Sequence, residues 1–320
     1  SDTSYTNITA CDSVVWNGIS FDSSGTYYYN GENNNYSMSF DGVDDFIEIM
    51  NHSSLNLDSN FTFSAYVLHN NLGNNQAYKI LDNGISGQAC PSYNFQILNN
   101  NSINARFFNS TNCSSNDPFW NNNQSISSII EGVWKYITVT YDGVNLKFYI
   151  DGNLDVTIIK NGVVSYAPIF NLLIGAEINS SGNYINTFNG NIDNLQIWNI
   201  SLAQQDIQQY MYCPPIGDEN GLVGYWNFEE GPASSIVIDQ TNNNNNGIIN
   251  GTLYSTNTPL QSCNLTNING CDSTAVLNLT INHSESNSSS VISCDSYIWD
   301  GNTYSVSGTY TNVYTNSVGC

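Results

Sequence analysis

The stretch V133-W-K-Y-I-T-V-T-Y-D-G-V-N-L-K-F-Y-I-D-G-N-L154 decides the fold. Apolar and polar residues alternate on both sides of Asp142-Gly143, and the pattern ends at a second Asp-Gly pair, Asp151-Gly152. Side chains of a strand point alternately to opposite faces, so this spelling predicts strands with one buried face joined by type I′ turns. Similar alternation predicts strands at Ser37–Phe40, Phe46–Met50, Phe61–Leu68, Asn94–Leu98, Ile103–Phe108, Phe170–Ile174 and Asn191–Trp198. Many short strands with polar turns argue an all-β sandwich. One helix is expected, Ser201–Met211, with Ser201 as its cap and Leu202, Ile207, Tyr210 and Met211 as an apolar stripe against the sandwich edge.

Outside this region the chain repeats itself. CDSVVWNGISFDSSGTY, Cys11 to Tyr27, and CDSYIWDGNTYSVSGTY, Cys294 to Tyr310, agree at 9 of 17 positions without gaps. The tails match as well: Thr266, Asn267, Gly270 and Cys271 correspond to Thr315, Asn316, Gly319 and Cys320. The bracketing cysteines are 26 positions apart in the second copy and 260 in the first, so one copy is interrupted by an insert of about 234 residues. The expected domains are 1–30 and 263–284 as the halves of a split repeat, expected to be a small Ig-like β-sandwich, 31–262 as the inserted β-domain, and 285–320 as a second, truncated repeat. Because both ends fall inside repeats, the chain reads as a fragment of a stalk that carries a head.

The formal charge is -22 with only 5 Lys and Arg, which argues against nucleic acid or an anionic membrane as partner and favours cations. No basic leader precedes an apolar run, and no apolar stretch approaches the ~18 residues of a membrane span. Eight cysteines without zinc-type spacing imply disulfides and a secreted, extracellular setting. Repeat logic pairs Cys294 with Cys320 and Cys11 with Cys271. Cys90 and Cys113 flank the Asn94–Phe108 hairpin and form the third expected pair, which leaves Cys213 with Cys263; a local Cys263–Cys271 bond is the competitor. Asparagine runs such as Asn242–Asn246 read as loops, and the sequons at Asn51, Asn60 and Asn179 arise freely from this composition.

Three motifs in order, SFDGVDDFIEI at 39–49, VTYDGVNLKFYIDGNL at 139–154 and GNIDNLQIWNISLAQQDI at 190–207, resemble laminin G-like, concanavalin A-like jelly rolls. A fourth element, GLVGYWNFEEG with DQTNNNNNGIINGTLYS, spans 221–255 and normally precedes the SFDG strand. The resemblance therefore implies a circularly permuted jelly roll; the competing reading makes 214–262 the start of a second, truncated one. The repeats resemble Cys-Asp-Ser repeats of large secreted surface proteins of Bacteroidetes, gliding-type adhesins among them. There Asp12-Ser13-Val14 and Asp272-Ser273-Thr274 resemble an O-glycan acceptor motif, although both also sit beside repeat cysteines.

The same likeness implies a structural calcium, for which Asp41, Asp44, Asp45 and Asp193 are the candidate ligands, a hard cation needing converging oxygens. Asp41 and Asp142 also read as plain turn residues. Tyr93, Phe119, Trp120 and Tyr184 fall in predicted loops among asparagines, where an aromatic face can stack on a sugar ring. Trp134, Trp198 and Trp226 read as core, and Trp16 and Trp299 as the filling of each repeat. His52, His69 and His283 are isolated, and no GxSxG, phosphate-cradling loop or HExxH occurs. The ExDxE triplet that glycanases of this fold place on one strand is missing, and Glu229-Glu230 are adjacent. The sequence thus points to a non-catalytic head binding glycan or another surface ligand, monomeric within a longer chain. The alternative is an ancillary carbohydrate-binding module of a secreted hydrolase.

Overall fold

The computed structural model describes all residues except 1, 17–18, 30–33, 58–59, 71–76, 87–92, 108–122, 163–169, 262–264, 267–271, 285 and 317–320. The chain divides into two compact units, one made of 1–31 with 262–320 and the other of 32–261.

The larger unit contains two eight-stranded sheets. Sheet I runs Gln124–Ser128, Ser102–Phe107, Tyr93–Leu98, Ala77–Asp82, Leu172–Ile174, Phe46–Ile49, Gly247–Asn250, Ile236–Val237. Sheet II runs Asn153–Ile159, Asn145–Ile150, Lys135–Tyr141, Phe61–His69, Asn189–Trp198, Ser37–Asp41, Leu253–Ser255, with Leu222–Trp226 also paired to Asn189–Trp198. Every ladder within these two sheets is antiparallel, and inward residues of both form one core that includes Phe40, Ile47, Phe63, Phe95, Phe148 and Trp226. Burial of such side chains is the main favourable contribution to folding.

The segment from Leu222 onward does not begin a second domain. Leu222–Trp226 and Leu253–Ser255 join sheet II, and Ile236–Val237 and Gly247–Asn250 close one edge of sheet I. This is the arrangement a permuted jelly roll requires.

The two Asp-Gly pairs make different turns. Ile150 pairs with Asn153, and Asp151 (φ 49) and Gly152 (φ 70) are both left-handed, which is a type I′ turn. At the first pair Tyr141 faces Leu146 and the Asp142 N–H donates to the Asn145 carbonyl, so the central residues are Gly143 (φ 89) and Val144. That is the type II′ pattern, shifted one residue from the expectation. The cause is the Asp142 carboxylate, which accepts the Val144 and Asn145 amides at 3.0 and 2.6 Å and closes the turn from outside.

The helix is shorter than expected and lies elsewhere. It spans Gln204–Tyr212 with Ala203, not Ser201, at its N-cap, and the Asp206 carboxylate accepts the Ala203 N–H at 3.3 Å. Leu202 and Ile207 bracket the first turn as a hydrophobic staple. With Met211 they pack on Tyr66, Tyr136, Tyr149, Trp198 and Tyr225 from five strands of sheet II, so the helix covers an outer sheet face and not an edge. The large apolar residues on that face demand a cover. Trp198 and Trp226 are fully buried, whereas Trp134 is half-buried and its indole donates to Asn257 Oδ1 at 3.1 Å.

In the smaller unit Asp2–Cys11 and Asp272–Asn282 pair in parallel, and Gly25–Tyr29 lies antiparallel to Asp272–Asn282. Its core holds Phe21, Leu277, Leu279 and Ile281, with Trp16 packed against them. The two sequence copies repeat the same ring contacts. Phe21–Tyr27 and Tyr304–Tyr310 ring centroids are 4.3 and 4.1 Å apart, and Trp16–Phe21 and Trp299–Tyr304 are 6.4 and 6.2 Å apart. The Tyr27 hydroxyl donates to the Ser23 carbonyl and the Tyr310 hydroxyl to the Val306 carbonyl, both at 2.7 Å.

Cysteine chemistry separates the copies. Cys11 and Cys213 each take part in a disulfide. Cys294 is an exposed free thiol, which corrects the expected Cys294–Cys320 bond. Between Cys294 and residue 316 the described chain forms one hairpin, Tyr297–Trp299 with Asn302–Tyr304. Among the described residues it pairs with no long strand of the kind that Asp272–Asn282 supplies to the first copy. Cys90, Cys113, Cys263, Cys271 and Cys320 lie outside the described residues.

Candidate functional site

Two features of the larger unit have the makings of a site. The first is the crossing from sheet II to sheet I, Asp41 to Asp45. Gly42 (φ 80) makes the turn, Asp41 Oδ1 accepts the Val43 N–H at 2.7 Å, and Asp45 Oδ2 accepts the Asp41 N–H at 2.9 Å. Carboxylate oxygens of Asp41, Asp44 and Asp45 converge to within 4.8 Å, with Asp41 and Asp44 exposed and Asp45 buried. Burial pushes the Asp45 carboxyl up; the Asp41 amide opposes this, and the Asp41 and Asp44 charges add to it. Such crowding is relieved by a cation, and hard carboxylate oxygens are the donors calcium takes. The parallel crossing at Gly251-Thr252 packs against Asp45, and the buried Thr252 hydroxyl has no hydrogen-bond partner.

Asp193 is not part of this group, which corrects the expected ligand set. Asn194 (φ 48) forms a bulge in Asn189–Trp198, shifting the register against Phe61–His69. The fully buried Asp193 carboxylate accepts Asn34 Nδ2 at 2.7 Å and Asn194 Nδ2 at 3.1 Å. Burial raises its pKa well above the usual carboxylate value, against the pull of the Asn34 side-chain amide and the Asn194 backbone amide. Asn34 Nδ2 also donates to the Pro259 carbonyl, and Thr258 Oγ1 to the Asn34 carbonyl, so Asp193 anchors the two neighbouring segments through which the chain enters and leaves this unit.

The second feature is the outer face of sheet I around Tyr184. Tyr184 is 36% exposed and stacks on Phe46, with ring centroids 3.9 Å apart and planes 24° from parallel. Phe46 and Glu48 leave the same face of their strand, because Ile47 and Ile49 take the core side. Burial, then the Glu48 charge, raises the Tyr184 hydroxyl pKa. Glu48 Oε1 accepts Asn171 Nδ2 at 2.8 Å, and the exposed Ile248 stands opposite Glu48 on the next strand. An aromatic face, a carboxylate and an amide therefore share one accessible surface.

Of the other aromatic candidates, Tyr93 is corrected. It is 1% exposed, packs on Phe63 in the core and donates its hydroxyl to the Leu55 carbonyl at 3.0 Å. The strand begins at Tyr93, one residue earlier than expected, so Tyr93 shares the inward parity of Phe95 and Ile97. Phe119 and Trp120 lie outside the described residues.

Sequence reasoning missed the buried strand Ala77–Asp82 and the charges it carries. Lys79 Nζ lies 2.9 Å from Asp82 Oδ2 and 2.7 Å from Glu177 Oε2, all three side chains under a tenth exposed. Burial raises the Asp82 carboxyl pKa and outweighs the pull of Lys79. The available signal was a lysine and an aspartate three apart in an otherwise apolar run. Glu229 and Glu230 follow the strand Leu222–Trp226 and are engaged in backbone support: Glu229 accepts the Asn35 and Tyr36 amides, and Glu230 the Ile238 amide and the Tyr254 hydroxyl.

The model of the Concanavalin A-like lectin/glucanases superfamily, Laminin_G_3, matches residues 41–208, just over half of the chain. A search of curated proteins finds no match. Among solved structures, a Bacteroides ovatus protein for which carbohydrate binding is inferred aligns with TM-score 0.53 and 15% identity, over 71% of this chain and 62% of that one. The chain thus spans less than two thirds of that protein's length. The SAP-like pentraxin of Limulus polyphemus aligns at 0.48 and 15% identity, over 70% and 97%. The CBM40 of a Ruminococcus gnavus IT-sialidase, solved with α2,3-sialyllactose, aligns at 0.42 and 13%, over 53% and 96%. At 15% identity and a TM-score of 0.53 the Bacteroides ovatus likeness speaks to the fold alone. The family model, borne by the two sheets and their one core, places the chain in the laminin G-like branch of the concanavalin A-like lectin/glucanase superfamily.

Proposed function

We propose that the larger unit is a non-catalytic, glycan-binding head carried on Cys-Asp-Ser repeats of a secreted cell-surface adhesin. The observation that carries the reading is Tyr184, stacked on Phe46 and exposed beside Glu48 and Asn171. A pyranose offers an apolar C–H face to such a ring and hydroxyls to a carboxylate and an amide. The inferred carbohydrate binding of the Bacteroides ovatus protein agrees with it at the level of fold. A glycan array probed with the purified chain and with Tyr184→Ala tests the reading. Glycan signals lost in the variant support it; no glycan signal from the parent protein refutes it.

The head is further proposed to hold a structural calcium through Asp41, Asp44 and Asp45. A cation bound only by the folded state raises stability by mass action. Melting that is unchanged between chelator and millimolar calcium removes the metal from the reading.

A further inference from the structure

The buried Lys79 belongs to neither feature proposed for function. Its Nζ lies 2.7 Å from Glu177 Oε2, and that same oxygen accepts Asn186 Nδ2 at 3.3 Å. Nearby backbone contacts fix the pair, since the Lys79 N–H donates to the Asn186 carbonyl at 3.0 Å and Asn186 is held left-handed at φ 51. Asp82 Oδ2 holds the other side of the amine at 2.9 Å. A primary amine and a primary amide therefore meet at one carboxylate oxygen, with Lys79 2% and Glu177 6% exposed and Asn186 half-buried. Reactants held in a fixed, water-poor geometry lose most of the entropic barrier to reaction.

We propose that Lys79 and Asn186 become joined by a side-chain amide, with Glu177 carrying the proton. Glu177 takes a proton from the Lys79 ammonium, and the freed lone pair attacks Asn186 Cγ. Glu177 then delivers the proton to Asn186 Nδ2, the leaving group, as the tetrahedral centre collapses. One Nζ–Cγ bond forms and one Cγ–Nδ2 bond breaks; Nζ sheds its second proton through Glu177 to the departing ammonia, so the lysine's positive charge leaves as ammonium and nothing is oxidised or reduced. The new amide keeps one N–H, which Asp82 accepts. The link ties Ala77–Asp82 of sheet I to the turn after Tyr184–Ile185, and so pins the three-stranded sheet that carries Tyr184. It does not depend on what Tyr184 binds.

The test is the intact mass of the full chain after reduction and alkylation, followed by tryptic mapping. The expected result is the sequence mass less one ammonia, no cleavage after Lys79, and fragment ions joining the Lys79 and Asn186 peptides. Lys79→Arg and Glu177→Gln should each restore the full mass. An unmodified parent mass overturns the proposal and leaves a buried ion pair. Loss of one water overturns it too, since a carboxylate would then be the acylated partner. Ammonia loss without a joined peptide marks a succinimide elsewhere and also refutes it. The parent protein decides the matter even if a variant fails to fold.

Discussion

Gly251 packs so closely against Asp45 that a Cβ on it would lie 2.1 Å from Asp45 Oδ1, and its backbone is left-handed at φ 82. Two crossings between the sheets are fitted together there: Asp41–Asp45 leads from sheet II to sheet I, and the one through Gly251 leads back. Gly251→Ala is expected to destabilise the unit by about 1–3 kcal/mol from backbone strain alone, and further from displacing Asp45. Thermal melts with and without calcium check both effects, the calcium-dependent increment shrinking with the loss of stability.

Asp44 and Asp193 should behave oppositely. Asp44→Asn removes an exposed carboxylate from the acidic group and is expected to abolish a calcium-dependent rise in melting temperature with little change in chelator. Asp193→Ala leaves the Asn34 and Asn194 amides without their buried acceptor, so it should lower stability by about 1–3 kcal/mol while preserving the calcium increment.

The two tyrosines separate in the same way. Tyr184→Ala should weaken glycan binding about fivefold, the worth of one aromatic contact of about 1 kcal/mol, with melting little changed. Tyr184→Phe should keep most of the binding. Tyr93→Ala empties a core position and should destabilise by about 3–5 kcal/mol. Titration of each variant with a glycan positive on the array, alongside urea unfolding, measures both quantities.

His69 predicts the acid response. It is fully buried at the end of Phe61–His69, and neither ring nitrogen makes a hydrogen bond of normal geometry. Burial lowers its pKa below 6.5, against weaker opposing effects of Asn101 and Glu131. The unfolded chain therefore binds a proton that the folded chain refuses, so this contribution to stability is complete above pH 6.5 and declines as pH falls toward the lowered value. Urea unfolding between pH 8 and 5 should show the decline, and a His69→Gln variant should flatten it.

The cover over sheet II can be tested through Ile207, which is 1% exposed beneath the helix. Ile207→Ala should destabilise by about 2–4 kcal/mol. Gln204 and Gln208 both donate to the Gly152 carbonyl from the half-buried rim, and changing either to Ala should shift urea midpoints much less.

What the sequence by itself determined is local and periodic. Alternation marks strands because side chains a residue apart leave opposite faces, and it marked Phe61–His69, Asn189–Trp198 and the hairpin Tyr93–Phe107 to within a residue or two. The repeat was legible because matched neighbours make matched ring contacts, as the Phe21–Tyr27 and Tyr304–Tyr310 pairs do. Asp41, Asp44 and Asp45 were legible as a group because four positions of chain around one turn keep them together. Only the tertiary structure decided the rest. Parity fails where a strand starts one residue early, which buried Tyr93, and where a bulge adds a residue, which sent Asp193 to Asn34 and away from the acidic turn. Nothing local says that the strand Ala77–Asp82 would be buried on both faces with Lys79 facing Glu177, or that Tyr184 would find Phe46, because those partners lie about a hundred residues or more apart in sequence and meet only when the sheets close.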